Sequence, residues 1–206
     1  MRSRWAKVLV FAVCLVPLGW MGWRAWNQDL TANPVEYLTH FTGDWTIRLL
    51  VITLGVTPLR QVLGLPDLIR FRRMIGLFAF FYGCLHFSVY FWVDKDFQVK
   101  EMLEDVGKRP YILAGFTAFV CMIPLALTST AGWISRLGGK RWRMLHRLVY
   151  VSGVAAVIHY YWLVKSDIRL PVFYGSLVGL LLLYRFVVFV GQAGSLRRTG
   201  SPPARV

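Results

Sequence analysis

Long apolar runs of about twenty residues dominate the pattern of hydrophobic and polar positions along this chain of 206 residues. An α-helix needs about 20 predominantly apolar residues to cross a hydrocarbon core of roughly 30 Å. Six such runs predict transmembrane helices at residues 8–26, 45–64, 74–93, 110–130, 144–164 and 171–190. We therefore expect an all-α, six-helix membrane bundle that forms one domain over residues 1–206, with residues 191–206 as a disordered tail.

Composition and charge agree with a membrane protein and exclude two other possibilities, a separate soluble domain and a nucleic-acid partner. Hydrophobic residues make up 56% of the chain, and no polar stretch is long enough to fold as a separate soluble domain. The net charge of +14 would suit a nucleic-acid partner, but the basic residues cluster at the ends of apolar runs. That distribution is typical of topology signals and lipid contacts, so we exclude nucleic acid as a partner.

The charge distribution also predicts an orientation. If the N-terminus is inside, the inner segments contain most of the lysines and arginines and only Asp67 among the acidic residues. Cytoplasmic loops of membrane proteins carry such an excess of positive charge. Both termini are therefore expected in the cytoplasm.

Three of the four histidines, His86, His146 and His159, lie inside the apolar runs. An ionisable residue within a membrane is costly and usually functional. His86 lies on the third predicted span, whereas His146 and His159 lie on the fifth. His40 is expected in the first outer loop, as an interfacial residue.

Depth in the membrane separates these histidines. The third and fifth spans run in the same direction, and His86 and His159 follow the arginines at their inner ends by 13 and 12 residues. At 1.5 Å per residue, both imidazoles lie about 18–20 Å from the inner boundary. Two imidazoles at one depth can bind one iron from opposite faces, which suits an electron-transferring bis-histidine haem. The alternative is that each is a buried polar residue bonded to a neighbouring carbonyl.

His146 is predicted about 20 Å closer to the cytoplasm than His159. At its depth the third span offers Arg72 or Arg73 rather than a histidine. We therefore leave several roles open for His146: ligand of a second haem with a non-histidine partner, contact to a flavin or quinone, or a structural hydrogen bond.

Two other functions compete with electron transfer. One is a small transporter with a histidine proton relay, which is disfavoured because all ten acidic residues are expected in loops or at span ends. The other is an assembly subunit without a cofactor. Arg48, Arg60 and Arg185 lie in or near spans, and we favour snorkelling to lipid headgroups over pairing with haem propionates.

Six short motifs follow one another between about residues 30 and 190. They are His40-Phe41-Thr42-Gly43, Pro66-Asp67-Leu68-Ile69-Arg70-Phe71-Arg72-Arg73, Arg109-Pro110-Tyr111, Leu127-Thr128-Ser129-Thr130, Trp142-Arg143-Met144-Leu145-His146-Arg147-Leu148-Val149-Tyr150 and His159-Tyr160-Tyr161-Trp162-Leu163-Val164-Lys165. In order and spacing they resemble the MsrQ (formerly YedZ) family, the membrane haem subunits of bacterial periplasmic methionine sulfoxide reductase systems. The wider group is the ferric-reductase-like transmembrane domain, which NADPH oxidases share.

The resemblance implies b-type haem, one or two groups, with His86, His146 and His159 at the positions of the family's histidines. It also implies a bound FMN and electrons from the quinone pool or a cytosolic flavin reductase. Those electrons would pass to MsrP, a periplasmic molybdenum enzyme that reduces methionine sulfoxide in oxidised periplasmic proteins. The chain would then be an electron-transfer subunit and not the catalytic reductase.

The chain departs from the NADPH oxidases in two ways. Those enzymes carry two histidines on each of the two haem-binding helices, whereas the third span here has only His86. No G-x-G-x-x-G motif follows a predicted strand, so reduction must come from a partner. We expect the inner arginines and lysines to bind an acidic flavin reductase or an anionic cofactor, and the outer loop 94–109 to dock the periplasmic enzyme.

Overall fold

The computed structural model describes residues 2–199, and over that range it contains helices and no strand. Eight α-helices follow one another: α1 (Arg2–Trp26), α2 (Pro34–Leu63), α3 (Ile69–Ser88), α4 (Val99–Lys108), α5 (Pro110–Leu127), α6 (Ala131–Leu145), α7 (Leu148–Leu163) and α8 (Arg169–Thr199). A 3-10 turn, Pro66–Leu68, precedes α3, and a π-helical segment, Val89–Asp94, follows it. The all-α class predicted from the sequence is confirmed.

Five helical segments of the described residues are long and apolar enough to cross a membrane, namely α1, α2, α5, the first part of α8, and α3 with its flanking turns. Helix α7 has 16 residues, which span about 24 Å at 1.5 Å per residue. That is shorter than a hydrocarbon core of roughly 30 Å. Five of the six predicted spans therefore correspond to candidate membrane-spanning helices. The count of six crossings, including that of α7, and the cytoplasmic termini stay predictions.

Helix α2 begins eleven residues earlier than the apolar run that predicted it. Asn33 caps its first turn by accepting a hydrogen bond from the Glu36 N–H at 3.3 Å, and Pro34 occupies the first helical position. The helix ends at Gly64, whose left-handed φ of 65° lets its N–H donate to the Arg60 carbonyl. The predictions that placed His40 in a loop and all acidic residues in loops or at span ends are wrong, because His40 and Asp44 lie within α2.

The predicted span 144–164 is interrupted near its start. Helix α6 ends at Leu145 with His146 as its C-cap, and α7 begins at Leu148. The Arg147 N–H donates to the Met144 carbonyl at 3.1 Å, a three-residue spacing that tightens the chain there. His146 and His159 therefore lie on two successive elements and not on one helix, and no glycine or proline marks the break in the sequence.

Two helix pairs form the body of the protein. Helix α2 packs along α3, and α5 packs along α7, in the most extensive contacts between elements. Small side chains let the backbones approach, as in membrane bundles generally. At Ser152 in α7, which is fully buried, the hydroxyl donates to the Ala118 carbonyl of α5 at 2.9 Å. Helix α8 lies against α2 and α7.

Helix α1 is attached to α3 through one buried hydroxyl. The Tyr82 hydroxyl donates to the Cys14 carbonyl at 2.9 Å and accepts from the Leu18 N–H at 3.1 Å. In a regular α-helix those two backbone groups would bond to each other. Pro17, beside this point, has no N–H to donate within the helix. The tyrosine thus bonds α3 to the backbone of α1 beside the proline that removes one hydrogen bond of that helix.

The C-terminal helix is longer than the span predicted for it. Its backbone continues as α8 to Thr199, beyond the predicted end at residue 190. Residues 200–206, the remainder of the expected disordered tail, lie outside the described residues.

We predict that Tyr82→Phe lowers thermal stability, because the Cys14 carbonyl and Leu18 N–H lose the group that bonds both. An unsatisfied buried polar group costs about 1–3 kcal/mol. The measurement is thermal unfolding in lipid nanodiscs. The matched control is Tyr184→Phe, which removes an exposed hydroxyl bonded to Gln61. Equal unfolding temperatures for the two variants would contradict the bridging role.

Candidate functional site

A cavity of about 250 Å³ lies between α2, α3, α5 and α7. Its walls are mostly apolar and aromatic, and they include Ile47, Leu50, Phe87 and Phe116. Cofactor sites in proteins are typically lined in this way, with a few placed polar groups. The polar groups within this apolar lining include the imidazoles of two histidines on opposite walls.

Those histidines are His86 of α3 and His159 of α7. Their ring centres lie 6.1 Å apart, with an angle of 74° between the ring planes. The structure therefore brings together the two histidines that the sequence placed at one depth on different spans.

Each of these rings is tied to the backbone of a neighbouring helix. The Nδ1 of His86 lies 2.9 Å from the Thr39 carbonyl of α2, and the Nδ1 of His159 lies 2.7 Å from the Tyr111 carbonyl of α5. A carbonyl only accepts hydrogen bonds, so Nδ1 donates in both pairs. In a neutral imidazole this leaves Nε2 with its lone pair, the arrangement found in metal-binding histidines.

A glycine makes room for each ring. Gly43 follows Thr39 by one helical turn, and Gly115 follows Tyr111 by one turn. A Cβ at Gly43 would lie 3.1 Å from Cε1 of His86, and a Cβ at Gly115 would lie 2.7 Å from Nδ1 of His159. On each neighbouring helix, a backbone carbonyl accepts a hydrogen bond from the ring, and a glycine four residues later leaves space for that ring.

The separation of the rings suits one metal ion between them. An imidazole nitrogen lies about 2 Å from a bound metal and roughly 1 Å from its own ring centre, so the two ring centres would be about 6 Å apart. The observed 6.1 Å matches that value. Two axial imidazoles require a metal with its own equatorial ligands, and iron porphyrin is such a group. The residues therefore fit a haem.

His146 lies apart from this pair. Its ring stacks on Trp142 with centres 3.9 Å apart, and its Nδ1 donates to the Trp142 carbonyl at 3.1 Å. The Nε2 atom is buried and makes no hydrogen bond of good geometry among the described residues, although the Leu125 backbone interacts with the ring. This environment is compatible with a ligand position for a further group and with a structural residue.

Two arginines bond to protein groups instead of extending toward headgroups. Arg48 donates to the Tyr174 hydroxyl at 3.1 Å and pairs with Asp44 at 3.3 Å. Arg185 donates to the Tyr150 hydroxyl and to the Leu54 carbonyl, both at 2.8 Å. The expectation that Arg48 and Arg185 snorkel is therefore wrong, because both charges find partners on neighbouring helices. For Arg60, snorkelling to lipid headgroups stays a prediction.

Sequence reasoning missed the groups that orient the histidines. Thr39 and Tyr111 act through backbone carbonyls, which every residue type carries, and Gly43 and Gly115 act through a missing side chain. The available signal was that Gly43 and Tyr111 fall in two of the short motifs, near residues 40 and 110. Periodicity and hydropathy carry no information about such positions.

Comparisons with known proteins agree with this site. The family model described as "Ferric reductase like transmembrane component" matches residues 42–157. A protein of Herminiimonas arsenicoxydans is 51% identical over 181 residues, which cover 87% of this chain and 83% of the relative. One of Xanthomonas campestris pv. campestris is 47% identical over 204 residues, covering 96% and 93%. Both relatives are named "Protein-methionine-sulfoxide reductase heme-binding subunit MsrQ".

We predict that Gly115→Ala disrupts the site, because the added methyl would lie 2.7 Å from Nδ1 of His159 and must displace the ring. The expected result is loss of most of the low-spin haem absorption per purified chain. The matched control is Gly179→Ala in α8, where a Cβ meets no atom within 4 Å. Equal haem content in the two variants would contradict the crowding at His159.

Proposed function

We propose that this chain, which belongs to the ferric-reductase-like transmembrane family and within it to the MsrQ heme-binding subunits, is a multi-pass electron-transfer subunit of the bacterial inner membrane. It takes electrons from the quinone pool or from a cytosolic flavin reductase. It passes them to MsrP, the periplasmic molybdenum-dependent catalytic subunit. That enzyme reduces methionine sulfoxide in oxidised periplasmic proteins.

The observation that carries this proposal is the spacing of His86 and His159. Ring centres 6.1 Å apart, with both Nδ1 atoms bonded to carbonyls, suit one iron bound by both Nε2 atoms. When bound, the haem supplies a one-electron redox couple within the membrane. If His86 and His159 both held the iron, no position would be open for oxygen or substrate, which favours electron transfer over catalysis.

The remaining residues of the site hold and insulate the pair. The carbonyls of Thr39 and Tyr111 set the orientation of the rings and make Nε2 a better ligand. The apolar walls exclude water and keep the local dielectric low, so charges placed nearby act strongly on the redox couple. The chain's own residues thus position the ligands and tune their environment.

His146 supports a further cofactor nearer the cytoplasmic face. Its buried Nε2 makes no hydrogen bond of good geometry among the described residues, and the Leu125 backbone is the one group recorded beside Trp142 as interacting with this ring, so a ligand at Nε2 would stabilise it. A second haem is the first candidate, so the proposal allows one or two haems per chain. FMN is proposed from the family alone, and we assign no residues to it.

The two faces of the protein suit different partners. Helix α6 presents exposed basic side chains at the predicted inner face, namely Arg136, Lys140, Arg141 and Arg143. A cluster of this sign attracts acidic partners and raises association rates. We propose that it docks the flavin reductase, and that the outer segment 94–109 docks the periplasmic enzyme.

A histidine-relay transporter is the second candidate, since Asp44 supplies a carboxylate beside the cavity. Two observations weigh against it. Asp44 is paired with Arg48 at 3.3 Å, so it is not free to carry a proton. The two cavity histidines donate Nδ1–H to backbone carbonyls, which do not pass protons onward. Electron transfer is the better-supported function.

We predict that His86→Ala and His159→Ala each remove the low-spin b-type absorption band of the haem held by this pair, together with its shift on dithionite reduction. Each variant removes one of the two axial ligands. Cys84→Ala, on the same helix as His86, is the matched control and should keep the band. A His146→Ala variant should keep it too, and haem and flavin content per chain then report what His146 holds. A colourless wild-type protein with full activity would refute the proposed function.

We also predict that Arg141→Glu combined with Arg143→Glu slows haem reduction by an acidic flavin reductase but leaves reduction by quinol unchanged. Reversing two exposed charges weakens electrostatic attraction on one face only. Stopped-flow reduction at low ionic strength measures both rates. Lys108→Glu, on the predicted outer face, is the control. Unchanged rates with both donors would contradict the proposal that the flavin reductase docks on the basic side chains of α6.

A further inference from the structure

The lining of the histidine cavity includes polar residues near the predicted outer ends of its helices. Thr39 and His40 lie near the start of α2, Tyr90 follows α3, and Arg109 precedes α5. A second, more polar cavity of about 470 Å³ adjoins this end, the mouth of the histidine cavity, and shares Thr39, His40 and Tyr90 with it. Among the described residues that line the histidine cavity, Arg109 is the one lysine or arginine. A single guanidinium at the polar rim of an apolar cavity indicates a bound anion.

A network of charges holds Arg109 in place. Its Nε lies 3.3 Å from Asp105 Oδ1, and its Nη1 donates to the Tyr111 hydroxyl at 3.3 Å. Asp105 also pairs with Lys95 at 2.6 Å and accepts from the Tyr90 hydroxyl at 3.3 Å. The hydrogen bond from Lys95 holds the pKa of Asp105 below its ordinary value, so this carboxylate stays charged at neutral pH.

Arg109 keeps hydrogen-bonding capacity for a ligand. A guanidinium has five N–H donors in a planar fork, and the two contacts above use only two of them. The remaining donors suit a carboxylate or phosphate, which arginine binds with two parallel hydrogen bonds.

The first turn of α5 connects this cation to the histidine pair. Arg109 is the N-cap of α5, and Tyr111, two residues later, supplies the carbonyl that holds His159. Gly115, one turn further, makes room for the same ring. A group bound between the histidines would therefore have an edge within reach of the start of α5, where the helix dipole also favours negative charge.

We propose that Arg109 binds a propionate carboxylate of the haem held by His86 and His159, so that the carboxylate edge faces the outer mouth of the cavity. This proposal rests on the proposed function. Haem carries two carboxylates on one edge, and the apolar walls around Leu50 and Phe116 offer no partner for them. The polar mouth does, and Arg109 is its strongest anion-binding group.

A lipid headgroup phosphate at the membrane surface is the other anion with the same chemistry. An arginine near a span end can snorkel to such a phosphate. The two sources differ in one respect that can be measured, because only the haem carboxylate disappears when both propionates are esterified. The test therefore compares haem with haem dimethyl ester in the same protein.

The experiment is a two-by-two comparison of wild type and Arg109→Gln, each loaded with haem or with haem dimethyl ester in nanodiscs. The rate of haem loss to excess apomyoglobin is measured. Wild type should lose the ester about tenfold faster than haem, as expected for one charge-assisted hydrogen-bonded pair. Arg109→Gln should lose haem about tenfold faster than wild type does, and should lose the ester and haem at similar rates. Lys108→Gln, which removes a neighbouring exposed charge paired with Glu104, should behave as wild type.

A second readout does not depend on haem loss. The midpoint potential of haem-loaded Arg109→Gln should be lower than that of wild type, because a nearby cation stabilises the more negative, reduced centre. Arg109→Lys should fall between them, and Lys108→Gln should match wild type.

Two results would overturn the inference. One is that Arg109→Gln weakens haem and its ester equally, which would assign Arg109 to folding or to headgroup binding. The other is that neither the loss rate nor the potential changes. A wild-type protein that binds no haem would instead refute the proposed function, so the two failures are distinguishable.

Discussion

The hydrogen bond from each cavity histidine to a backbone carbonyl of the neighbouring helix is the interaction on which the site depends. His86 is held by Thr39 and His159 by Tyr111, at 2.9 and 2.7 Å. Each bond requires a helix backbone to approach an imidazole ring, and a Cβ one turn later would crowd that ring, at 3.1 Å for Gly43 and 2.7 Å for Gly115. The tight pairing of α2 with α3 and of α5 with α7 therefore follows from the same requirement that sets the 6.1 Å spacing of the rings.

The remaining packing follows from the scarcity of water in a membrane. Every buried polar group needs an internal partner, because hydrocarbon offers none. The Tyr82 hydroxyl meets that need for α1 beside Pro17, and the Ser152 hydroxyl meets it between α5 and α7. The charged residues at the mouth of the cavity are also paired, since Asp105 forms ion pairs with Lys95 and Arg109. These polar contacts thus hold the helices together and also position the charged residues at the mouth of the histidine cavity.

The sequence predicted what depends on hydropathy and depth, but little of what depends on backbone contacts. Counting residues from Arg73 and Arg147 placed His86 and His159 at one level, and the structure brings their rings together. The break after Leu145 escaped prediction because no glycine or proline marks it. The early start of α2 was hidden because its first turns are polar. The orienting carbonyls of Thr39 and Tyr111 have no side-chain signature, so only a structure reveals them.

The central claim is that His86 and His159 bind one iron, and electron paramagnetic resonance of the oxidised, haem-loaded protein tests it most directly. Two imidazoles with planes 74° apart predict a strongly anisotropic low-spin ferric signal. Selective ¹⁵N labelling of histidine should then change the hyperfine couplings of two ligand nitrogens. A high-spin signal, or a low-spin signal with one or no histidine nitrogen coupled to the iron, would contradict the account.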